Sequence, residues 1–162
     1  MNRLVVAITL VAASISSGVV AQQRQPHVPQ KYRTTDAPTL LAKAKAGDSE
    51  AMLWLGIKFD SGRDLPQDHV QATEWYRKAA DLGLGSGMFF VGVAYWSGRG
   101  VTQDFVEAYK WLDLASKHGN DAERERSIGA RDSLARVMSP EMINRARSLE
   151  ADWEKDFQKR KK

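Results

Sequence analysis

The chain of 162 residues contains no cysteine, so neither a disulfide nor a lipid attached through an N-terminal cysteine is available to it. Whatever fold forms must hold by packing alone. Histidine is nearly absent too. The three present, His27, His69 and His118, share no metal-ligand spacing with one another or with a carboxylate. We expect them to be solvated surface residues and expect no metal and no cofactor. No Ser-x-x-Lys pair and no Gly-x-Ser-x-Gly elbow occurs. Asp121, Glu123 and Glu125 form a charged run with no acid-base partner beside it, so no catalytic residue is nominated. Gly83-Leu84-Gly85-Ser86-Gly87 has the composition of a phosphate loop, but it lacks the preceding strand that such a loop requires. No β-strand pattern of useful length appears.

Basic charge is also scarcer than the isoelectric point near 9.4 suggests. Lys159 to Lys162 form a basic tail. Without that tail and Arg3, 19 basic residues face 20 acidic ones. The body carries no basic stripe and no nucleic-acid motif, so nucleic acid is not an expected partner. The tail alone could touch an anionic surface.

One long apolar run is present. Met1-Asn2-Arg3 precedes an uncharged stretch from Leu4 to Val20, and Val19-Val20-Ala21 fits a small-residue cleavage site. Residues 1–21 therefore have the form of a secretory signal peptide. A retained anchor is the alternative, weakened by Thr9, Ser14, Ser16, Ser17 and Gly18 within the run. Cleavage would leave about 141 residues, enough for one domain burying roughly two-thirds of its surface. It would leave no stable membrane span and place the protein in the periplasm or outside the cell. Residues 22–36 are polar, with Pro26, Pro29 and four glutamines, and are expected to be a flexible linker.

Twelve residues then recur at a spacing of 36, among them Gly56/Gly92, Gly62-Arg63/Gly98-Arg99, Asp68/Asp104, Ala72/Ala108, Trp75/Trp111, Ala79/Ala115 and Gly83/Gly119. A period of this length marks stacked two-helix units that bury a core only against their neighbours. Helices are expected at 39–46, 50–60, from a cap at Asp68 to Leu82, at 87–96, and from a cap at Asp104 to Gly119. Gly56 and Gly92 fall within helices, where glycine costs about 1 kcal/mol relative to alanine. Close helix approach is the compensating reason. Trp75 and Trp111 are expected to be core wedges. Beyond the period, 121–138 suggests an amphipathic helix with Ile128, Leu134 and Val137 inward. Ser139-Pro140-Glu141 starts a last helix, whose Met142, Ala146, Leu149 and Trp153 form one stripe. Residues 121–158 are expected to cap the stack.

The units Ala51–Gly83 and Gly87–Gly119 together resemble the Sel-one-like repeat, a relative of the tetratricopeptide repeat. The resemblance rests on Leu55-Gly56, Phe59, Gly62, Asp68, Ala72, Trp75-Tyr76, Ala79-Ala80 and Gly83. In the second unit it rests on Val91-Gly92, Tyr95, Gly98-Arg99-Gly100-Val101, Asp104, Ala108, Trp111, Ala115 and Gly119. Asp64 departs from the pattern where the second unit has Gly100, and Leu112 and Ser116 stand where the first has Tyr76 and Ala80. The resemblance implies an all-α solenoid of stacked antiparallel helix pairs over 37–120: two full repeats, a leading half repeat and the C-terminal cap. It also implies a secreted bacterial, non-enzymatic adaptor for a protein or peptide partner, and leaves the oligomeric state open.

A second stripe on the first helix of each unit lies about 100° from the core stripe. It holds Leu53, Ile57 and Asp60, with Phe89, Val93 and Trp96 as copies. In the tetratricopeptide relatives such positions line the concave surface, so these six are the candidate partner-binding residues. Five apolar residues there exceed what a solvated face needs. The alternatives for the stripe are cover by the chain's own terminal segments and self-association. The alternatives for the protein are a cell-wall-associated enzyme and a peripheral binder of anionic surfaces through its tail.

Overall fold

The computed structural model describes residues 30–162. The expected signal peptide, and the expected linker as far as residue 29, lie outside the described residues. After a short 3-10 turn at Gln30–Tyr32 come seven helices: α1 (Ala37–Lys45), α2 (Ser49–Ser61), α3 (His69–Asp81), α4 (Gly85–Ser97), α5 (Phe105–His118), α6 (Asp121–Ala135) and α7 (Pro140–Arg160). No strand occurs among the described residues.

Local signals set the helix starts. Asp36, Asp48, Asp68 and Asp104 each accept a hydrogen bond from an otherwise unpaired amide of the first turn. The Gln71 amide on Asp68, and the Thr39 amide on Asp36, hold those carboxyls below their usual range. Burial alone would raise Asp48, but the Tyr32 hydroxyl and the Ala51 amide outweigh it and lower that group too. Asn120 and Glu123 form a reciprocal capping box at α6, and Ser139 caps α7. Helix α4 lacks a side-chain cap and begins at Gly85, two residues before the glycine expected to open it. A Cβ at Gly85 would lie 2.6 Å from Gly119, so this glycine exists to let α4 start against the end of α5.

From α1 to α6 each helix packs on the next in the chain, whereas α7 turns back to lie across α5. The two full units pack as copies. A Cβ on Gly56 would sit 2.6 Å from the Tyr76 ring, and one on Gly92 would sit 2.8 Å from Leu112. Both glycines therefore set the separation of the two helices within a unit, as expected. The repeated glutamines also have a role: Gln67 Nε2 donates to the Asp60 carbonyl at 2.8 Å and Gln103 Nε2 to the Trp96 carbonyl at 2.7 Å, bracing the same loop twice.

The closing helices differ from expectation in three places. Helix α6 ends at Ala135, short of Met138, and the chain is extended at Ser139 before the proline. Val137 therefore points to solvent, and Met138 and Ser127 are buried instead. Trp111 is fully buried beneath the edge of Trp153 (5.7 Å), with its indole N–H on Glu107 at 3.0 Å, whereas Trp75 is only half-buried under Lys78. Only the second tryptophan has α7 above it. His118, expected on a solvated surface, packs edge-on against the stacked Trp153 and Phe157 rings and is bonded to Glu154 at 2.6 Å.

Both ends of the described chain are drawn in. Tyr32, at the end of the expected linker, is buried and bonded to Asp48 at 2.6 Å. Phe157 is buried against Gly83, with Arg160 and Lys161 over its ring face. Part of the basic tail is thus occupied with the chain's own aromatics.

Gly56→Ala should lower stability by about 1–2 kcal/mol, because overpacking outweighs the gain in helix propensity. Gly129 is the control: it is exposed within α6 and has open space where an added methyl group would sit. Gly129→Ala should raise stability by about 1 kcal/mol. Urea unfolding of the two variants checks both signs.

Candidate functional site

The six stripe residues do not share one environment. Leu53 has no exposed surface, and Phe89 is 8% exposed. The Arg126 guanidinium of α6 covers the Phe89 ring at 4.2 Å, and Phe90 meets it edge-on. Burial lowers the pKa of Arg126 from its ordinary value, against the opposing pull of Glu123. Ile57, Asp60, Val93 and Trp96 are half-buried. The stripe is therefore closed at one end by the chain itself and accessible at the other.

At the accessible end Asp60 is the polar centre. Its Oδ1 pairs with His69 Nδ1 at 2.8 Å and with Arg99 Nη2 at 3.1 Å. Asp60 ends the first helix of unit one, His69 begins the second, and Arg99 belongs to the loop of unit two. The cluster therefore joins the two repeats. Thr73 reinforces it, its hydroxyl reaching the His69 carbonyl at 2.9 Å and the Arg99 carbonyl at 3.2 Å. Gly100 permits this approach: a Cβ there would lie 2.0 Å from the His69 carbonyl oxygen. At the matching place in unit one Asp64 also has positive φ (64°), but it binds Lys58 instead.

Between the repeats lies a small pocket of about 30 Å³, lined by Asp60, Thr73, Tyr76, Phe90, Val93, Ala94, Ser97 and Arg99. Asp60 and Val93 belong to the predicted stripe; the other six were not singled out as site residues from the sequence. Among these liners and their neighbour His69, the available signal was contrast between units. Asp60, His69, Thr73 and Tyr76 are polar where unit two carries Trp96, Phe105, Tyr109 and Leu112. No cluster of three His, Asp or Glu residues able to hold a metal occurs among the described residues.

Paired helices stacked in register with their copies define the α/α solenoid class. Within that class the chain carries two tandem Sel1 repeats, at residues 49–84 and 85–120. Sel1 repeats generally form non-catalytic scaffolds that mediate protein–protein interaction.

Two solved structures share the fold. One is c5321, a protective antigen present in uropathogenic Escherichia coli strains and displaying an SLR fold. It matches with a TM-score of 0.70 and 25% identity over 86% of this chain and 29% of that one. The other is a Sel1 repeat protein from Oxalobacter formigenes, with a TM-score of 0.55 and 26% identity over 59% of this chain and 36% of that one. The chain thus spans about a third of the length of either structure. No curated protein matches it. No described helix is long and apolar enough to cross a membrane.

Asp60→Asn should cost less than about 1 kcal/mol in thermal or urea unfolding, because its ion pairs are partly solvated. A larger loss would make this cluster part of the stability of the stack.

Proposed function

We propose that the protein is a non-enzymatic adaptor of the bacterial cell envelope that binds a peptide or helix on the concave face of its repeats. The observation that carries this reading is the half-buried group Ile57, Val93 and Trp96 beside Asp60. α7, the long closing helix, takes α5 as its main partner, while these residues lie on α2 and α4. An amphipathic segment laid along that face would bury its apolar side on Ile57, Val93 and Trp96. It would meet the Asp60–Arg99 pair with a polar group. Buried Leu53 and Phe89 would support the face from behind. The basic-tail reading has less support, because Lys159 pairs with Asp156 and both Arg160 and Lys161 lie on ring faces.

Trp96→Ala should reduce capture of the partner from envelope extracts by about tenfold, the scale of an aromatic anchor, with helical circular dichroism unchanged. Capture equal to wild type would refute the assignment of this face. The envelope location follows from the form of residues 1–21. Mass spectrometry of the exported protein should find Gln22 as the first residue, and an intact Met1 would contradict cleavage and favour the retained anchor.

A further inference from the structure

The pocket between the repeats contains one polar atom without a counterpart. The Tyr76 hydroxyl is buried, the residue being 4% exposed, and it has no hydrogen-bond partner. The other hydroxyls lining the pocket are satisfied, Thr73 by two carbonyls and Ser97 by the Val93 carbonyl at 2.8 Å. Leaving a buried hydroxyl unpaired costs about 1–3 kcal/mol.

Packing does not require that hydroxyl. At the same place in unit two, Leu112 fills the space opposite Gly92 as the Tyr76 ring fills the space opposite Gly56. Nor is the change isolated, since Asp60, His69 and Thr73, which gather here with Tyr76, also replace apolar or aromatic residues of unit two. Burial pushes the Tyr76 phenol far above its ordinary range, and the charges that act on it are Asp60 and Arg99. The phenol is therefore a permanent donor beside a compensated ion pair.

We propose that this pocket binds the amide group of a bound partner, either a side-chain carboxamide or a main-chain peptide group. The amide oxygen accepts from the Tyr76 hydroxyl and the Arg99 guanidinium, and the amide N–H donates to the Asp60 carboxylate. The Arg99 side chain, half-exposed at 51%, lines the same pocket as Tyr76. The arrangement disfavours either ion. The Asp60 and Arg99 charges offset each other, so a carboxylate or an ammonium group meets one repelling charge for each attracting one. A cavity of about 30 Å³ limits the ligand to one small polar group such as a single amide. Phe90, stacked on Tyr76 at 4.8 Å between centroids, together with Val93 and Ala94, supplies the apolar wall for the adjoining carbon. This assignment rests on the concave-face reading and specifies one contact within it.

The test titrates the isotopically labelled full chain with acetamide, N-methylacetamide and acetate, following the Arg99 Nε–H and the Val93 and Ser97 amides by NMR. Saturable shifts are expected with an amide. Acetamide binding more tightly identifies a side-chain carboxamide, and N-methylacetamide binding more tightly a main-chain group. Tyr76→Phe keeps the ring, so it should weaken amide binding about fivefold, as one neutral hydrogen bond allows, without lowering the melting temperature. The proposal is overturned by the absence of saturable shifts, by acetate binding as well as the amides, or by Tyr76→Phe binding as well as wild type. A lower melting temperature in Tyr76→Phe would also overturn it, by showing that the hydroxyl already has a partner such as a resident water. If the amides fail while Trp96→Ala still lowers partner capture, the pocket assignment alone falls. If both fail, the binding face itself is misplaced.

Discussion

The close approach of paired helices at Gly56 and Gly92 is the constraint on which the rest of the structure depends. A methyl group at either position would collide with Tyr76 or Leu112 across the pair. Once the helices are this close, Ala72, Ala79, Ala108 and Ala115 must be small, and each is fully or almost fully buried. The tight pair turns its large side chains outward toward the neighbouring unit, where Met88, Val91, Trp111 and Leu114 are buried. A single pair therefore cannot complete its own core. The stack needs an end, and α7 supplies one by laying Trp153 and Phe157 over Trp111, His118 and Gly83.

The repeat divides its residues between two tasks. Positions that are identical in both units build the scaffold: glycines at tight contacts, aspartates at caps, glutamines bracing loops. Positions that differ set the character of the surface. Asp60, His69, Thr73 and Tyr76 replace four apolar or aromatic residues of unit two and meet at the junction. Arg99 and Gly100 reach the junction from the other unit, so neither repeat alone would form the pocket.

The helical order, the caps and the glycine contacts were legible in the sequence because each depends on residues close in the chain or on the fixed period. The same information could not place residues that depend on the closing helix. His118 has the sequence context of a solvated helix end, and only the return of α7 surrounds it with Glu154, Trp153 and Phe157. Val137 lies on the expected apolar side of α6, but that helix ends at Ala135, before reaching it. The stripe was legible as a helical face, yet its closed end depends on Arg126, 37 residues from Phe89. Tyr76 fits the repeat motif so well that its unpaired hydroxyl has no trace in the sequence beyond the leucine opposite it in unit two.

We propose that the accessible end of the α2–α4 stripe is where this scaffold holds a protein. A photoreactive residue placed at Val93 or Trp96, irradiated in the native envelope, tests it most directly against the same residue at Leu82 or Val137, which are exposed apolar positions elsewhere. One discrete crosslinked partner is expected from positions 93 and 96 and none from 82 and 137. Crosslinking to that partner from 82 or 137, with none from 93 and 96, would contradict it.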